Sequence, residues 1–96
     1  MATSKIPVFS PKLMVKSKSI TMTYSSGYSN TSADIAESGY TPIGVVGFML
    51  GTSFFSPASI YVSAVTNRVY IDARYHSNPQ YSGTVTATAY ILYTQN

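Results

Sequence analysis

The chain is predicted to be all-β, a small antiparallel β-sandwich or β-barrel of jelly-roll-like character. Three observations predict it. Period-2 alternation of apolar and polar side chains runs through residues 17–24, 60–75 and 84–94. Loops rich in Ser, Asn, Gly and Pro separate those runs. No apolar pattern at helical spacing extends past a single turn. Ninety-six residues make one domain, expected as residues 17–96. Residues 1–16 are expected as a lead-in, a linker or an edge strand.

The elements follow in order. Pro7 and Pro11 surround the short apolar stretch at residues 6–9, and proline confines such a stretch to an edge or an extended linker. Residues 12–24 alternate clearly, with Ile20, Met22 and Tyr24 on one face and Ser19, Thr21 and Thr23 on the other. Residues 25–32 read as a polar loop. Residues 34–38 have room for one helical turn and nothing to sustain a helix. Residues 43–50 are apolar on both faces except at Gly44 and Gly47. Such a strand is expected to be central and covered on both sides, its glycines marking a bulge or a close backbone approach. Residues 51–57 are expected as a loop. The adjacent Phe54 and Phe55 cannot easily both enter one core, so they and Phe48 are the expected subunit-interface residues.

The clearest hairpin joins residues 60–65 to 68–75 through a two-residue turn, Thr66-Asn67. Counting outward from it pairs Val65 with Arg68, Ala64 with Val69, Val62 with Ile71 and Ile60 with Ala73. The other face then pairs Ser63 with Tyr70 and Tyr61 with Asp72. Residues 76–83 form a second polar loop. In the last strand Val85, Ala87, Ala89, Ile91 and Tyr93 face one way; Thr84, Thr86, Thr88, Tyr90 and Leu92 face the other.

Composition narrows the function. Charged residues are 9% of the chain, against about 25% in an ordinary soluble domain. Nine tyrosines and many Ser, Thr and Asn take their place. A surface of hydroxyls, amides and phenols suits contact with neutral polar matter, either sugar or further copies of the chain. The blander reading makes the tyrosines simple strand formers. The net charge of +3 comes from Lys5, Lys12, Lys16 and Lys18 in the first 18 residues. Beyond them two arginines face three carboxylates, so no clustered basic surface invites nucleic acid. There is no cysteine, hence no disulfide framework. No apolar run reaches the ~18 residues of a membrane span, so no membrane insertion is expected. The N-terminus lacks the apolar core of a signal peptide.

Enzyme constellations are nearly absent. Asp34 and Glu37 sit together in a loop, where acids are ordinarily solvated. His76 and Asp72 lie about 13 Å apart along a straight strand, too far for a triad hydrogen bond. One histidine and no cysteine leave no conventional zinc site, and three scattered acids leave no calcium cage. No metal or cofactor is expected. Recognition remains. Tyr75 and Tyr81 bracket His76, Asn78 and Gln80, with Asp72 and Arg74 at the adjoining strand end. These seven residues are the expected saccharide site: rings cover sugar C–H faces while amides and ions bind the hydroxyl rim. Plain polar surface is the alternative. Tyr24 and Tyr28 bracket a second candidate loop.

The stretch Ser38-Gly39-Tyr40-Thr41-Pro42-Ile43-Gly44-Val45-Val46-Gly47-Phe48 resembles part of the C-terminal heads of phage tail-fibre and baseplate receptor-binding proteins, of the type used against Gram-positive hosts. In those heads a short Gly/Pro-containing segment enters a strand, and further short strands run to the C-terminus. The segment Asn67-Arg68-Val69-Tyr70-Ile71 and the Thr-rich last strand fit that plan over residues 17–96. The chain departs from the pattern in having no Trp and a Lys-bearing N-terminal segment. The resemblance implies a non-enzymatic homotrimeric head that binds host cell-surface saccharide. It would sit at the virion's tail tip on an upstream fibre or baseplate protein, after synthesis in the host cytoplasm. A trimerisation or capsid-decoration domain and a small monomeric lectin stay open as alternatives.

Overall fold

The computed structural model describes residues 12–51, 53–54, 57–75 and 79–96. Seven strands are present: β1 (Leu13–Tyr24), β2 (Tyr28–Asp34), β3 (Tyr40–Leu50), β4 (Ser53–Phe54), β5 (Ser59–Ser63), β6 (Arg68–Arg74) and β7 (Gly83–Gln95). No helix occurs among the described residues. Two antiparallel sheets, ordered β1-β7-β3-β4 and β2-β6-β5, pack face to face as a sandwich, and among the described residues they do not close into a barrel.

Alternation dictates the core. Ile20 and Met22 from β1, Phe48 from β3, Val69, Ile71 and Ala73 from β6, and Ala87, Ala89, Ile91 and Tyr93 from β7 are all buried together. The small alanines of β7 and the larger side chains of β1 and β6 share this one core. Facing large and small residues let two sheets interdigitate at the ~10 Å spacing of a sandwich. β7 pairs along its whole length with β1, from Leu13↔Thr94 to Tyr24↔Gly83, and with β3 on its other side. Leu13–Lys16 therefore belong to the sheet, as part of edge strand β1; residues 1–11 lie outside the described residues.

Three expectations need correction. First, most of residues 25–32 is strand. Ser26 and Gly27 both take positive φ, 51° and 75°, and Ser25 and Tyr28 exchange backbone hydrogen bonds of 2.9 and 3.1 Å. That is a two-residue primed turn, which suits a right-twisted hairpin. The polar strand β2 then gains its order from the β6 ladder, Tyr28↔Arg74 through Asp34↔Arg68. Its inward Ser29 is 1% exposed, and the Ser29 and Thr31 hydroxyls lie 2.8 Å apart.

Second, the β5–β6 loop has four residues. The register is Ser63↔Arg68, Val62↔Val69, Tyr61↔Tyr70, Ile60↔Ile71 and Ser59↔Asp72, two places from the expected one. A type I′ turn needs positive φ at both central residues, and β-branched Thr66 resists it. Only Asn67 in this loop takes positive φ, at 52°; its N–H donates to Ser63 O at 2.9 Å. A shift of two keeps every side chain on its face, so Val62 and Ile71 still point inward.

Third, β3 is not covered on both faces. Register shifts fall between Pro42 and Gly44 and between Val45 and Gly47. These irregularities, at Ile43 and Val46, leave those two side chains 50% and 57% exposed. Phe48, expected at a subunit interface, instead lies in the core at 6% exposure. The side chains of Phe54 and Phe55 lie outside the described residues.

Candidate functional site

The expected site divides in two because successive β6 residues point to opposite faces. Asp72 and Arg74 lie on the outer face of the β2-β6-β5 sheet. Tyr75, one step further, turns inward. Its ring stacks on Tyr81 at 4.4 Å, and both meet Tyr24 edge-on, at 5.5 and 5.8 Å. The three tyrosines close one end of the sandwich, and each of Tyr75 and Tyr81 gives one ring face to the other. Backbone bonds reinforce this end: Gly27 N–H donates to Tyr81 O at 2.7 Å, and Tyr75 N–H donates to Gly27 O at 2.8 Å. Tyr75 and Tyr81 are thus part of the packing, not open platforms. Gln80 is exposed beside them; His76 and Asn78 lie outside the described residues. Burial, then the neighbouring phenols Tyr75 and Tyr81, push the Tyr24 hydroxyl's pKa upward. Among the described residues, a small cleft of about 150 Å³ is lined here by Ser26, Gly27, Arg74, Tyr75 and Pro79.

The outer face of the β2-β6-β5 sheet holds the better-formed site. The ladder aligns Asn30, Asp72 and Ser59 in one row and Ser32, Tyr70 and Tyr61 in the next. The Tyr61 and Tyr70 rings stack at 5.1 Å, and Tyr61 is 57% exposed. The Tyr70 hydroxyl is 2.9 Å from that of Thr66, which fixes the inner ring of the pair. Between the two rows lies a shallow groove of about 200 Å³, lined by Asn30, Ser59, Tyr61, Tyr70, Ile71 and Asp72.

Asp72 anchors the groove. Its Oδ1 is buried and has no hydrogen-bond partner among the described residues. Tyr28, diagonal to it, has its phenol pKa pushed up, first by a hydrogen bond to Asp72 and then by burial and by the Asp72 charge. The Arg74 guanidinium lies 5.2 Å over the Tyr28 ring, a cation–π contact that holds that ring. Arg68 Nη2 donates to Ser32 Oγ at 3.1 Å.

This set offers a carboxylate acceptor, an amide, a serine hydroxyl and an exposed phenol face within two ladder rows. It can bind a flat ligand rimmed with hydroxyls. It offers no nucleophile paired with a base. Among the described residues no group of three or more His, Asp or Glu could hold a metal ion, and no helix is long and apolar enough to cross a membrane. Asn30, Ser59, Tyr61 and Tyr70 were not singled out from the sequence. Tyr61, Tyr70 and Asp72 share a face in either register; the true register sets Tyr61 beside Tyr70 and Ser59 beside Asp72, and Asn30 joins them because β2 is a strand. The class that fold and site define is an all-β sandwich with one polar-aromatic face. The chain matches no protein-family model, no curated protein and no solved structure.

Proposed function

We propose that the chain is a non-enzymatic recognition head whose ligand is cell-surface saccharide, working as a homotrimer at the tip of a phage-type tail fibre or baseplate. The observation that carries this reading is the groove on the β2-β6-β5 sheet. An exposed ring, Tyr61, stands in one groove with the polar side chains of Asn30, Ser59 and Asp72. Tyr61 supplies the apolar face that a pyranose C–H surface needs. In this reading Asp72 is joined in the groove by Asn30, Ser59 and Tyr61, and Arg74 holds the neighbouring Tyr28 ring.

A shallow groove buries little ligand, so one site binds weakly. Linking three heads multiplies avidity by about 10²–10⁴ without new contacts. A purely structural trimerisation domain is the competing reading, supported by the exposed apolar side chains of the other sheet. The test is binding of multivalent cell-wall glycans to the native chain and to Tyr61→Ala and Asp72→Asn. Saccharide recognition predicts loss of binding in both variants with melting temperature nearly unchanged. Glycan binding that survives both substitutions removes the groove from the mechanism.

A further inference from the structure

Among the described residues, nothing covers the outer face of the β1-β7-β3-β4 sheet. Leu13 and Val15 of β1 are 61% and 53% exposed, and Ile43 and Val46 of β3 are 50% and 57% exposed. The ladder sets Val15 against Leu92 of β7, and Leu92 against Gly44 of β3. These side chains therefore form one continuous patch across three strands, about 10 Å between its outer strand axes. Isolated exposed apolar residues need no explanation, but a contiguous patch on a small domain marks a contact surface.

Gly44 adds an independent observation. A Cβ there would meet nothing within 4 Å, and its φ is not in the left-handed region. Gly47 differs, because the Tyr90 ring lies 3.2 Å from where its Cβ would be. Among the described residues nothing occupies the space a side chain at position 44 would take, and glycine weakens a strand by roughly 0.5–1 kcal/mol. A bare backbone in the middle of an apolar face admits close approach by another surface.

Charge decides the occupant. None of the patch residues is ionised. The lysines of β1 that lie nearest, Lys16 and Lys18, are on the strand's other face and pair with Glu37. An oppositely charged partner would gain nothing here, whereas an identical copy meets the face without opposing like charges. We propose that copies of this chain associate through this face, with Val15, Ile43, Val46 and Leu92 at its centre and the flanking serines and threonines as its rim. This rests on the reading of the chain as a self-assembling head, and it moves the interface away from Phe48. Association through this face is concentration-dependent.

Sedimentation velocity from about 5 to 200 µM tests it on the full chain, with Val46→Asp as the interface variant and Val65→Asp, at the exposed hairpin tip, as control. The expected result is a mass that rises above 10.4 kDa with concentration for the native chain and Val65→Asp. Val46→Asp should weaken association at least tenfold while its melting temperature in dilute solution stays unchanged. A native chain that remains at monomer mass throughout overturns the proposal. If Val46→Asp also lowers the monomer's melting temperature, the chain's own remaining residues cover the face. Association that survives Val46→Asp overturns it too, by placing the interface elsewhere. Glycan binding is scored separately on the monomeric variant, so a missing ligand and a missing interface give different results.

Discussion

Gly27 has two separate reasons to be glycine. Its φ is +75°, and a Cβ would lie 2.5 Å from the Pro79 carbonyl oxygen. Left-handed backbone alone costs a non-glycine residue about 1–3 kcal/mol, and here the clash is with backbone that cannot swing aside. Gly27→Ala should therefore lower unfolding free energy by at least ~2 kcal/mol in a urea titration. Tyr93 is the second decisive residue. It is fully buried, and its hydroxyl donates to Ile35 O at 2.5 Å. Burial first, then the charges of Glu37 and Asp34, raise its pKa from 10.0 to about 12. The neutral phenol is the folded form, so its contribution is complete below pH 10 and is lost as pH rises through about 12. Tyr93→Phe should cost about 1 kcal/mol at neutral pH and flatten the stability loss across that alkaline window, as followed by denaturant midpoints.

Glu37 works in the opposite pH direction. Lys18 and Lys16 both hydrogen-bond its carboxylate and hold its pKa below the ordinary 4.5. A depressed carboxylate stabilises the fold above its unfolded pKa and ceases to do so as pH falls through its folded value. The native chain should lose melting temperature more steeply below pH 4.5 than Glu37→Gln does. Equal acid limbs in the two proteins would show that this exposed cluster holds the 35–39 turn to β1 only weakly.

At the scale of elements, the β5–β6 hairpin separates a loop residue that matters from one that does not. Val65 is 92% exposed, so Val65→Lys should change stability by less than about 0.5 kcal/mol. Asn67 carries the loop's positive φ, and its carbonyl accepts the Ile35 N–H at 3.0 Å. Asn67→Val should cost about 1–3 kcal/mol, with Asn67→Gly nearly neutral, measured by thermal melts. The end cluster gives a matching contrast. Tyr81→Ala removes a ring packed on Tyr24 and Tyr75 and should destabilise by about 2 kcal/mol. Tyr61→Ala, on the outer face, should leave stability almost intact. If instead Tyr81→Ala melts like the native chain and abolishes glycan binding, the site returns to the end loop.

At the scale of the molecule, the two outer faces divide the work. One sheet presents ions, amides and stacked phenols; the other presents an uncharged apolar patch. The proposed saccharide groove and the proposed interface therefore lie back to back, which leaves the groove facing outward in any assembly built on the patch. The arrangement follows from strand order, since β2, β5 and β6 carry the outward Asp, Arg and Tyr, and β1, β3 and β7 carry the outward Leu, Val and Ile.

What the sequence by itself determined is whatever depends on period 2. The all-β class, the buried faces of β1, β6 and β7, and the pairing of Asp72 with Arg74 on one face were legible because alternation is a local property of adjacent residues. Even the hairpin's wrong register kept the right faces, since an error of two places preserves parity. Only the tertiary structure decided the rest. Ser29, Asn30, Thr31 and Ser32 are strand because β6 supplies their backbone partners, which no local preference of serine or asparagine would announce. Tyr75 and Tyr81 pack against Tyr24 because the Gly27 turn folds against their loop. Phe48 shares the inward side with Pro42 because the two irregularities of β3 cancel in parity, while Ile43 and Val46, the residues at those irregularities, are left outward. Each of these outcomes depends on partners distant in sequence, and spacing along one strand does not encode them.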